Sequence, residues 1–265
     1  MAKITKEAKQ TDFIKFLGTA GARFVMIKQL RASGGIWVSS KRKNVLIDPG
    51  PGSIVRCATS RPKLDPSKLD AIILTHRHLD HSGDINVMIE AMTEGGFKKR
   101  GVVFCPKDAL DQDPIILEHT RSFPERIEIL EEDKIYKVGE FEFCTSMKHI
   151  HPVETYGLKF EIKNTSVSLL TDTKYFKELV DFYKTDILII CVVFFEPRPG
   201  IDHLNLLDVE SLIKDIKPKK TILTHFGMTM LKAKPHIKAE ELTKRLGIEV
   251  VAAYDGMTLG SSIFP

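Results

Sequence analysis

The chain has 265 residues, of which 43% are hydrophobic and 28% are charged, and its formal net charge is +4. These values are typical of a globular protein with a hydrophobic core, and they exclude a disordered or low-complexity chain. The small positive charge permits an anionic substrate without requiring one.

The sequence also argues against a membrane protein and against a disulfide scaffold. The longest apolar run, residues 187–195, is too short to cross a bilayer, so no membrane partner is expected. The four cysteines are scattered without a Cys-x-x-Cys pair, which indicates reduced, mostly buried thiols outside any metal site. Because the polar residues 1–12 lack the apolar segment of a secretory signal, we expect a cytoplasmic protein.

Apolar runs bounded by turn residues predict a single domain of mixed α/β type over residues 1–265. Strands are predicted at residues 13–17, 34–38, 44–48, 71–74, 101–105, 126–130, 134–138, 140–145, 156–162, 167–170, 187–195, 221–223, 249–253 and 257–259, the last two as a pair. Helices are predicted at residues 53–60, 85–92, 174–182, 204–216 and 237–245. The glycine-containing loop 18–24 matches no phosphate-binding motif and is predicted to be a tight turn at the edge of a site.

Histidines cluster directly after one of these strands. The six positions that follow residue 75 contain three histidines and one acid, at His76, His78, Asp80 and His81. On an extended chain His76 and His78 project to the same side, and Asp80 is a residue type that caps helix starts. A strand end with two imidazoles and a helix start with a carboxylate and a third imidazole can hold two metal ions side by side.

Three further polar residues lie next to predicted strands. His151 precedes one strand, and Asp172 and His225 each follow one. A site at one edge of a sheet requires polar side chains at the points where buried strands emerge. Taken singly, each residue has an ordinary structural explanation, such as a hydrogen-bonded histidine or a helix-capping aspartate, so position alone leaves its role open.

Taken together, these residues stand in the order of the motifs of the metallo-β-lactamase superfamily, which the chain resembles from residue 13 to about residue 228. The resemblance implies a four-layer αββα sandwich, in which two mixed β-sheets are flanked by helices and the metals lie at one edge between the sheets. It also implies the ligands of each metal ion: His76, His78 and His151 for the first, Asp80, His81 and His225 for the second, and Asp172 between them.

Five imidazoles and two carboxylates suit a pair of divalent ions, with zinc expected first and manganese or iron next. Asp48, in the sequence Ile-Asp-Pro-Gly, matches the family's first motif, and its expected role is to orient the turn and a metal ligand.

Several features favour one branch of the superfamily. His78 stands where the oxygen-reducing di-iron branch carries a glutamate, which favours a hydrolase. The segment 200–205, which contains His203, resembles the histidine motif of the tRNA 3′-processing endonuclease, ribonuclease Z, and of related phosphodiesterases. Glu196 resembles the glutamate motif of the same group and is expected to support the ligands from behind. Residues 16–19 resemble that group's opening strand and loop.

One departure limits the size of the substrate. The tRNA-processing enzymes carry a long arm between their third and fourth motifs, whereas the interval from His151 to Asp172 has room for a single hairpin. The sequence therefore resembles more closely the armless members that cleave small or cyclic phosphodiesters.

The resemblance implies a hydrolase in which hydroxide held between two metal ions attacks a phosphodiester or a nucleic-acid end. Asp80 would orient the nucleophile, and His203 would donate a proton to the leaving group. Arg23 and Arg31 in the first long loop, and His149 beside the ligand His151, are further candidates for substrate contacts.

Two other functions stay open, because fold and metals do not fix the substrate. The first is a thioester, lactone or β-lactam hydrolase on the same scaffold. The second is a nucleic-acid-processing protein that depends on its basic surface. The basic clusters at residues 41–43, 98–100 and 217–220 lie beside turn signals, which favours solvated surface over a nucleic-acid patch. A homodimer is compatible with the sequence.

Overall fold

Fourteen short strands form two sheets of seven strands each in the computed structural model, which describes residues 11–260 and 263–264. The strands are β1 Phe13–Phe16, β2 Ile36–Ser40, β3 Lys43–Ile47, β4 Ala71–Ile73, β5 Val102–Cys105, β6 Arg126–Ile129, β7 Ile135–Val138, β8 Phe141–Lys148, β9 Tyr156–Ile162, β10 Thr165–Leu170, β11 Ile187–Cys191, β12 Lys220–Thr224, β13 Glu249–Ala252 and β14 Thr258–Leu259. Most of the N-terminal segment from which a cytoplasmic location was expected lies outside the described residues.

Both sheets are mixed. The first has the order β14-β1-β2-β3-β4-β5-β6, and β3 to β6 run parallel to one another. The second has the order β13-β12-β11-β10-β9-β8-β7, and β10 to β13 run parallel. The inner parallel strands β4, β5 and β11 are buried along their whole length, which explains their continuous apolar sequences.

Helices cover the outer face of each sheet. They are α1 Ala22–Ile27, α2 Ser53–Thr59, α3 Leu79–Ser82, α4 Ile85–Met92, α5 Leu179–Phe182, α6 Leu206–Ile216, α7 Met228–Lys232 and α8 Pro235–Leu246. One hydrophobic cluster lies between the sheets, a second joins the second sheet to α6 and α8, and a third joins the first sheet to α4. These three cores separate four layers, so the predicted αββα sandwich of two mixed sheets is confirmed.

The main differences from the predicted elements have local causes. The segment predicted to be a tight turn contains the helix α1, and Gly21 before it marks a close contact, since a Cβ there would lie 2.2 Å from the carbonyl oxygen of His225. Strands β13 and β14 lie in different sheets instead of pairing, because the chain crosses between the sheets at residues 253–257. Only the end of the predicted helix 174–182 is helical, as α5. Among the described residues, no helix is long and apolar enough to span a membrane.

Candidate metal centre

The predicted ligands meet at one edge of the sandwich because each follows or precedes a strand that ends there. The chain leaves β4 at Ile73, passes through His76 and His78, and enters α3, which carries Asp80 and His81. From the second sheet, His151 lies between β8 and β9, and single ligands follow the ends of β10 and β12, at Asp172 and His225. The carboxyl ends of parallel strands share one edge of a sheet, which brings side chains distant in sequence together.

The first group consists of His76, His78, His151 and Asp172, whose ligand atoms all lie within 4.8 Å of one another. Nε2 of His151 is 3.0 Å from Nδ1 of His78, and Nε2 of His76 is 3.7 Å from Oδ2 of Asp172. Burial and the nearby His151 ring lower the pKa of His78 to about 4, and burial together with the neighbouring His81 lowers the pKa of His76 well below its usual range. These imidazoles are therefore neutral at pH 7, as metal binding requires.

The second group consists of Asp80, His81 and His225. Nε2 of His225 lies 3.4 Å from Oδ2 of Asp80 and 3.5 Å from Oδ1 of Asp172. Burial opposes a charge on His225, yet the adjacent Asp172 carboxylate raises its pKa to about 9. Asp172 contacts both groups, since its Oδ2 is also 3.5 Å from Nε2 of His81.

The donor set fits a pair of divalent cations. Nε2 of His76 and Oδ1 of Asp172 are buried and form no hydrogen bond, although buried polar atoms in proteins are almost always partnered. Asp48, Asp80 and Asp172 also bring three carboxylates into this buried edge. They raise the pKa values of His81 and His225, and these two imidazoles, when protonated, balance the three carboxylates only in part. Cations bound between the two groups would partner the orphaned atoms and displace the protons from the imidazoles.

Asp48, expected from its sequence motif to orient a ligand, contacts His81. Its Oδ2 lies 2.9 Å from Nδ1 of His81. Thr75 donates its backbone N–H to Oδ1 of Asp48 (2.7 Å) and its hydroxyl to Oδ2 (2.8 Å). A carboxylate that accepts a hydrogen bond from Nδ1–H fixes the His81 ring, so that its Nε2 faces Asp80 and His225. Asp48 has φ = 52°, a left-handed conformation that Asp and Asn tolerate better than other non-glycine residues.

Replacing Asp48 with asparagine is therefore expected to keep the backbone and weaken the metal site. The amide presents one acceptor in place of two, so the tautomer of His81 is no longer fixed, and metal affinity should fall about 10–100-fold. Competition with a coloured chelator measures this affinity. Asp70→Asn is the matched control, because Asp70 also accepts from a backbone nitrogen, that of Asn44, and lies away from the ligands. Equal affinities of Asp48→Asn and the wild type would contradict the assigned role.

His203 lies at the same edge without belonging to either ligand group. Its Nδ1 is 3.6 Å from Oδ2 of Asp172 and forms no hydrogen bond, and its ring packs edge-to-face against His151 with centroids 5.1 Å apart. The side chain is 16% exposed and lines a cavity of about 440 Å³ together with Asp80, Asp172 and Arg23. The structure therefore brings His203 and Arg23 to the predicted ligands, as the sequence led us to expect.

Three other predicted site residues do not line this cavity. His149 is buried, and both of its ring nitrogens form hydrogen bonds within the protein, to the carbonyl oxygen of Asp172 (3.1 Å) and to the hydroxyl of Tyr183 (2.7 Å). Nη1 of Arg31 donates to Oγ1 of Thr19, 3.2 Å away. The expected substrate contact of His149 is therefore corrected to a structural contact. The substrate contact of Arg31 stays a prediction, because this hydrogen bond occupies only one of the guanidinium donors.

Glu196 is the third of these residues. It was expected to support the ligands, but its side chain is exposed where the chain leaves β11 towards solvent, with no hydrogen bond or ion pair among the described residues. A residue that faces solvent cannot orient a buried ligand, so this prediction is wrong.

The buried position of His149 has a consequence for acid stability. Burial lowers the pKa of His149 to about 4, whereas its unfolded-state pKa is about 6.5. Because the folded pKa is the lower one, the neutral form stabilises the fold above pH 6.5, and this contribution is lost as the pH falls from 6.5 through 4. The shift corresponds to about 3 kcal/mol.

We expect urea unfolding of the metal-free protein to show this loss between pH 7 and pH 4. His149→Gln can still donate to the carbonyl and accept from Tyr183 but does not titrate, so its free energy of unfolding should depend less on pH, by roughly 3 kcal/mol over the same interval. Identical pH dependence in the two proteins would show that the fold does not lower the pKa of His149.

Two features of the site had no signal in the sequence. The thiol of Cys191 lies within 4.8 Å of the ligand atoms of Asp172 and His225, although the cysteines were expected to lie outside any metal site. Asp255 closes the loop between β1 and β2, since its carboxylate accepts from Thr19 at one end and from the backbone nitrogen of Ala32 (2.7 Å) at the other. Both contacts join residues far apart in the chain.

Residues 43–226 match the family described as the Beta-lactamase superfamily domain. The chain is 30% identical over 254 residues to an uncharacterized protein of Methanocaldococcus jannaschii, a match that covers 92% of this chain and 93% of the relative. It is 27% identical over 203 residues to the probable metallo-hydrolase YhfI of Bacillus subtilis, with coverage of 73% and 80%.

Solved structures have the same fold. The crystal structure of YhfI superposes with a TM-score of 0.75 at 22% identity, covering 94% of this chain and 99% of that one. A diphosphatase of the PhnP family gives 0.70 at 21% identity (94% and 97% covered), and the short form of human tRNase Z gives 0.69 at 17% identity (93% and 98% covered). At these identities the structural likeness shows the fold alone. Because the family match extends over more than half of the sequence, the chain belongs to the metallo-β-lactamase superfamily and is a metal-dependent hydrolase.

Proposed function

We propose that the protein is a phosphodiesterase that uses two divalent metal ions, zinc being the expected pair, to hydrolyse a small or cyclic phosphodiester. The observation that carries this proposal is the position of His203, a histidine outside both ligand groups that lines the same cavity as Asp80 and Asp172. Hydrolysis of a phosphodiester requires a proton for the leaving oxygen, and a partially exposed imidazole with an unpartnered nitrogen can donate it.

When bound, two divalent cations supply hydroxide at neutral pH and neutralise charge on the phosphoryl oxygens. The side chains of this chain then have separate tasks. Asp80, with one oxygen near His225, can accept a hydrogen bond from the attacking nucleophile and orient it. His203 can donate its proton to the leaving oxygen, and the exposed guanidinium of Arg23 can pair with a phosphate oxygen at the mouth of the cavity.

The length of the chain between His151 and Asp172 supports a small substrate. This interval contains β9 and β10, which pair as one antiparallel hairpin within the second sheet. Nothing in it protrudes to grip a large nucleic acid. The structural neighbours include a diphosphatase and a tRNase Z, so phosphoric ester chemistry is represented among proteins of this fold.

The charges on the surface favour a small anion over nucleic acid as the partner. Several members of the basic clusters are paired with acids: Lys98 with Glu94 (2.7 Å), Lys219 with Asp186 (2.9 Å) and Lys43 with Asp70 (3.0 Å). Paired cations attract phosphates less than free ones, so we expect no steep dependence of any nucleic-acid binding on salt.

Metal analysis combined with a substrate panel tests the proposal. The metal-loaded protein is expected to contain about two zinc ions per chain and to hydrolyse bis(p-nitrophenyl) phosphate faster than thioesters or lactones. Faster turnover of a thioester or lactone would assign the same metal centre to that bond instead. A purified sample without bound metal under replete conditions would overturn the dinuclear assignment.

A further inference from the structure

One wall of the metal cavity is apolar. Besides the ligands His78 and Asp80, the cavity is lined by Met26 and Ile27 of helix α1 and by Leu79 at the start of α3. Ile27 and Leu79 are each 66% exposed. We call these three side chains the apolar wall. Large aliphatic groups at the mouth of a polar metal cavity leave apolar surface in water, which is unfavourable unless a ligand covers it.

The apolar wall is not needed to hold α1 in place. That role belongs to Val25, which is fully buried on the opposite side of the helix, and to the backbone contacts of Gly21 and Ala20 with the chain around Phe226. Ile27 therefore projects away from the core. Polar residues would satisfy the fold equally well at this exposed position, so the apolar character points to a ligand.

The position of the wall is fixed before any ligand binds. Asp255 accepts hydrogen bonds from Thr19 and Ala32, which are the two ends of the segment that contains α1. Gly21 donates from its backbone nitrogen to the carbonyl of Phe226 (3.0 Å), the residue that follows the ligand His225. The segment is thus attached both to the C-terminal part of the chain and to the metal site, and a preformed wall costs a ligand less ordering entropy.

We propose that the substrate carries a bulky apolar group next to its phosphate, and that this group lies on the apolar wall while the phosphate lies at the metal ligands. This inference rests on the proposed function and names the substrate class: a phosphodiester of a ring-bearing alcohol. A cavity of about 440 Å³ holds such a molecule, because small-ligand sites commonly have volumes of about 300–1,000 Å³. The methionine thioether at residue 26 also packs favourably against an aromatic ring.

Arg23 adds a cationic side chain to the lining of the same cavity. It lies one helical turn before Met26 and Ile27 on the same helix and lines the same cavity. Such a substrate would contact both parts of the cavity. Its anionic group would lie between Arg23 and the metals, and its apolar group would lie on Ile27 and Leu79. A compact polar phosphodiester would leave the apolar wall uncovered.

Binding of two phosphonates tests the inference without relying on turnover. Phenylphosphonate and methylphosphonate carry the same anionic group and differ only in the apolar group. Calorimetry on the zinc-loaded protein is expected to show about tenfold tighter binding of phenylphosphonate. Ile27→Ser should reduce this preference to about twofold, while Ile27→Leu should retain it and both should keep their metal content.

Ile135→Ser is the matched control, because Ile135 on β7 is 60% exposed and lies far from the metal edge; it should keep the tenfold preference. Equal affinities of the wild type for the two phosphonates, or an unchanged preference in Ile27→Ser, would overturn the inference. Concentration-dependent dimerisation that Ile27→Ser abolishes, together with equal phosphonate affinities, would assign the wall to a second copy of the chain. Failure of the proposed function is seen separately, as absence of phosphodiester turnover by the wild type.

Discussion

Replacing Asp172 with alanine is expected to remove both metal ions and to lower phosphodiester turnover by at least about 10³-fold. Its carboxylate reaches both ligand sets, with Oδ2 3.7 Å from Nε2 of His76 and Oδ1 3.5 Å from Nε2 of His225. Without it, His81 and His225 lose a neighbouring negative charge, and cations held by the remaining imidazoles repel each other more strongly. Metal analysis after desalting and kcat with bis(p-nitrophenyl) phosphate measure the two effects.

The control is Asp181→Ala, which removes an exposed carboxylate from α5, away from the site. This variant should bind metal and turn over substrate like the wild type. If Asp172→Ala retained two metal ions with unchanged affinity, the two groups would be independent sites and the bridging role would be excluded.

Replacing His203 with alanine is expected to give the opposite pattern: two metal ions stay bound while kcat falls about 10²–10⁴-fold. His203 lies 3.6 Å from Asp172 but belongs to neither ligand group, so its loss leaves the donor atoms in place. It removes the proton donor that the leaving oxygen needs. Single-turnover rates with a 2′,3′-cyclic nucleotide, whose leaving alkoxide needs a proton, and metal analysis of the same sample separate this effect from loss of metal.

Two further variants distinguish the loss of a proton donor from the loss of metal and from a nonspecific effect of removing a histidine. His76→Ala should lose both metal and activity, because the His76 imidazole belongs to the first ligand group. His119→Ala should lose neither, because this histidine is exposed and away from the cavity. Normal turnover by His203→Ala would exclude its role as proton donor and with it the assignment to the phosphodiesterase branch.

The candidate ligands differ in how much the sequence reveals: the cluster at positions 76–81 has a local signal, whereas His151, Asp172 and His225 were assigned as ligands through the resemblance to the superfamily. His76, His78, Asp80 and His81 form one compact motif, and the more distant ligands follow or precede apolar strands whose ends share an edge. Alternating and continuous apolar runs likewise predicted the paired strands β7–β8 and β9–β10. Such patterns involve only residues that are close in sequence, so they can be recognised without knowledge of the fold.

The incorrect predictions concern side chains whose direction depends on the path that the chain takes after a strand ends. His149 and His151 are two residues apart, yet the chain has left β8 and bends at residues 150–153, so their rings do not share one face as they would on a strand. His149 bonds to buried groups, whereas Nε2 of His151 lies beside His78. Glu196 follows a strand in sequence but leaves the sheet beside Pro197. Neither Asp255, 236 positions from Thr19, nor the helix α1 has a local pattern that would reveal its part in the site.

The two sheets are built from successive halves of the chain, since β1 to β6 belong to the first and β7 to β13 to the second. Each half brings only part of the donor set, so a bound metal pair acts as a cross-link between them. The free energy of unfolding then depends on the metal concentration. A ligand at 100 times its dissociation constant raises this free energy by about 2.7 kcal/mol. Thermal tolerance in the cell would thus follow the supply of metal as well as the packing of the core.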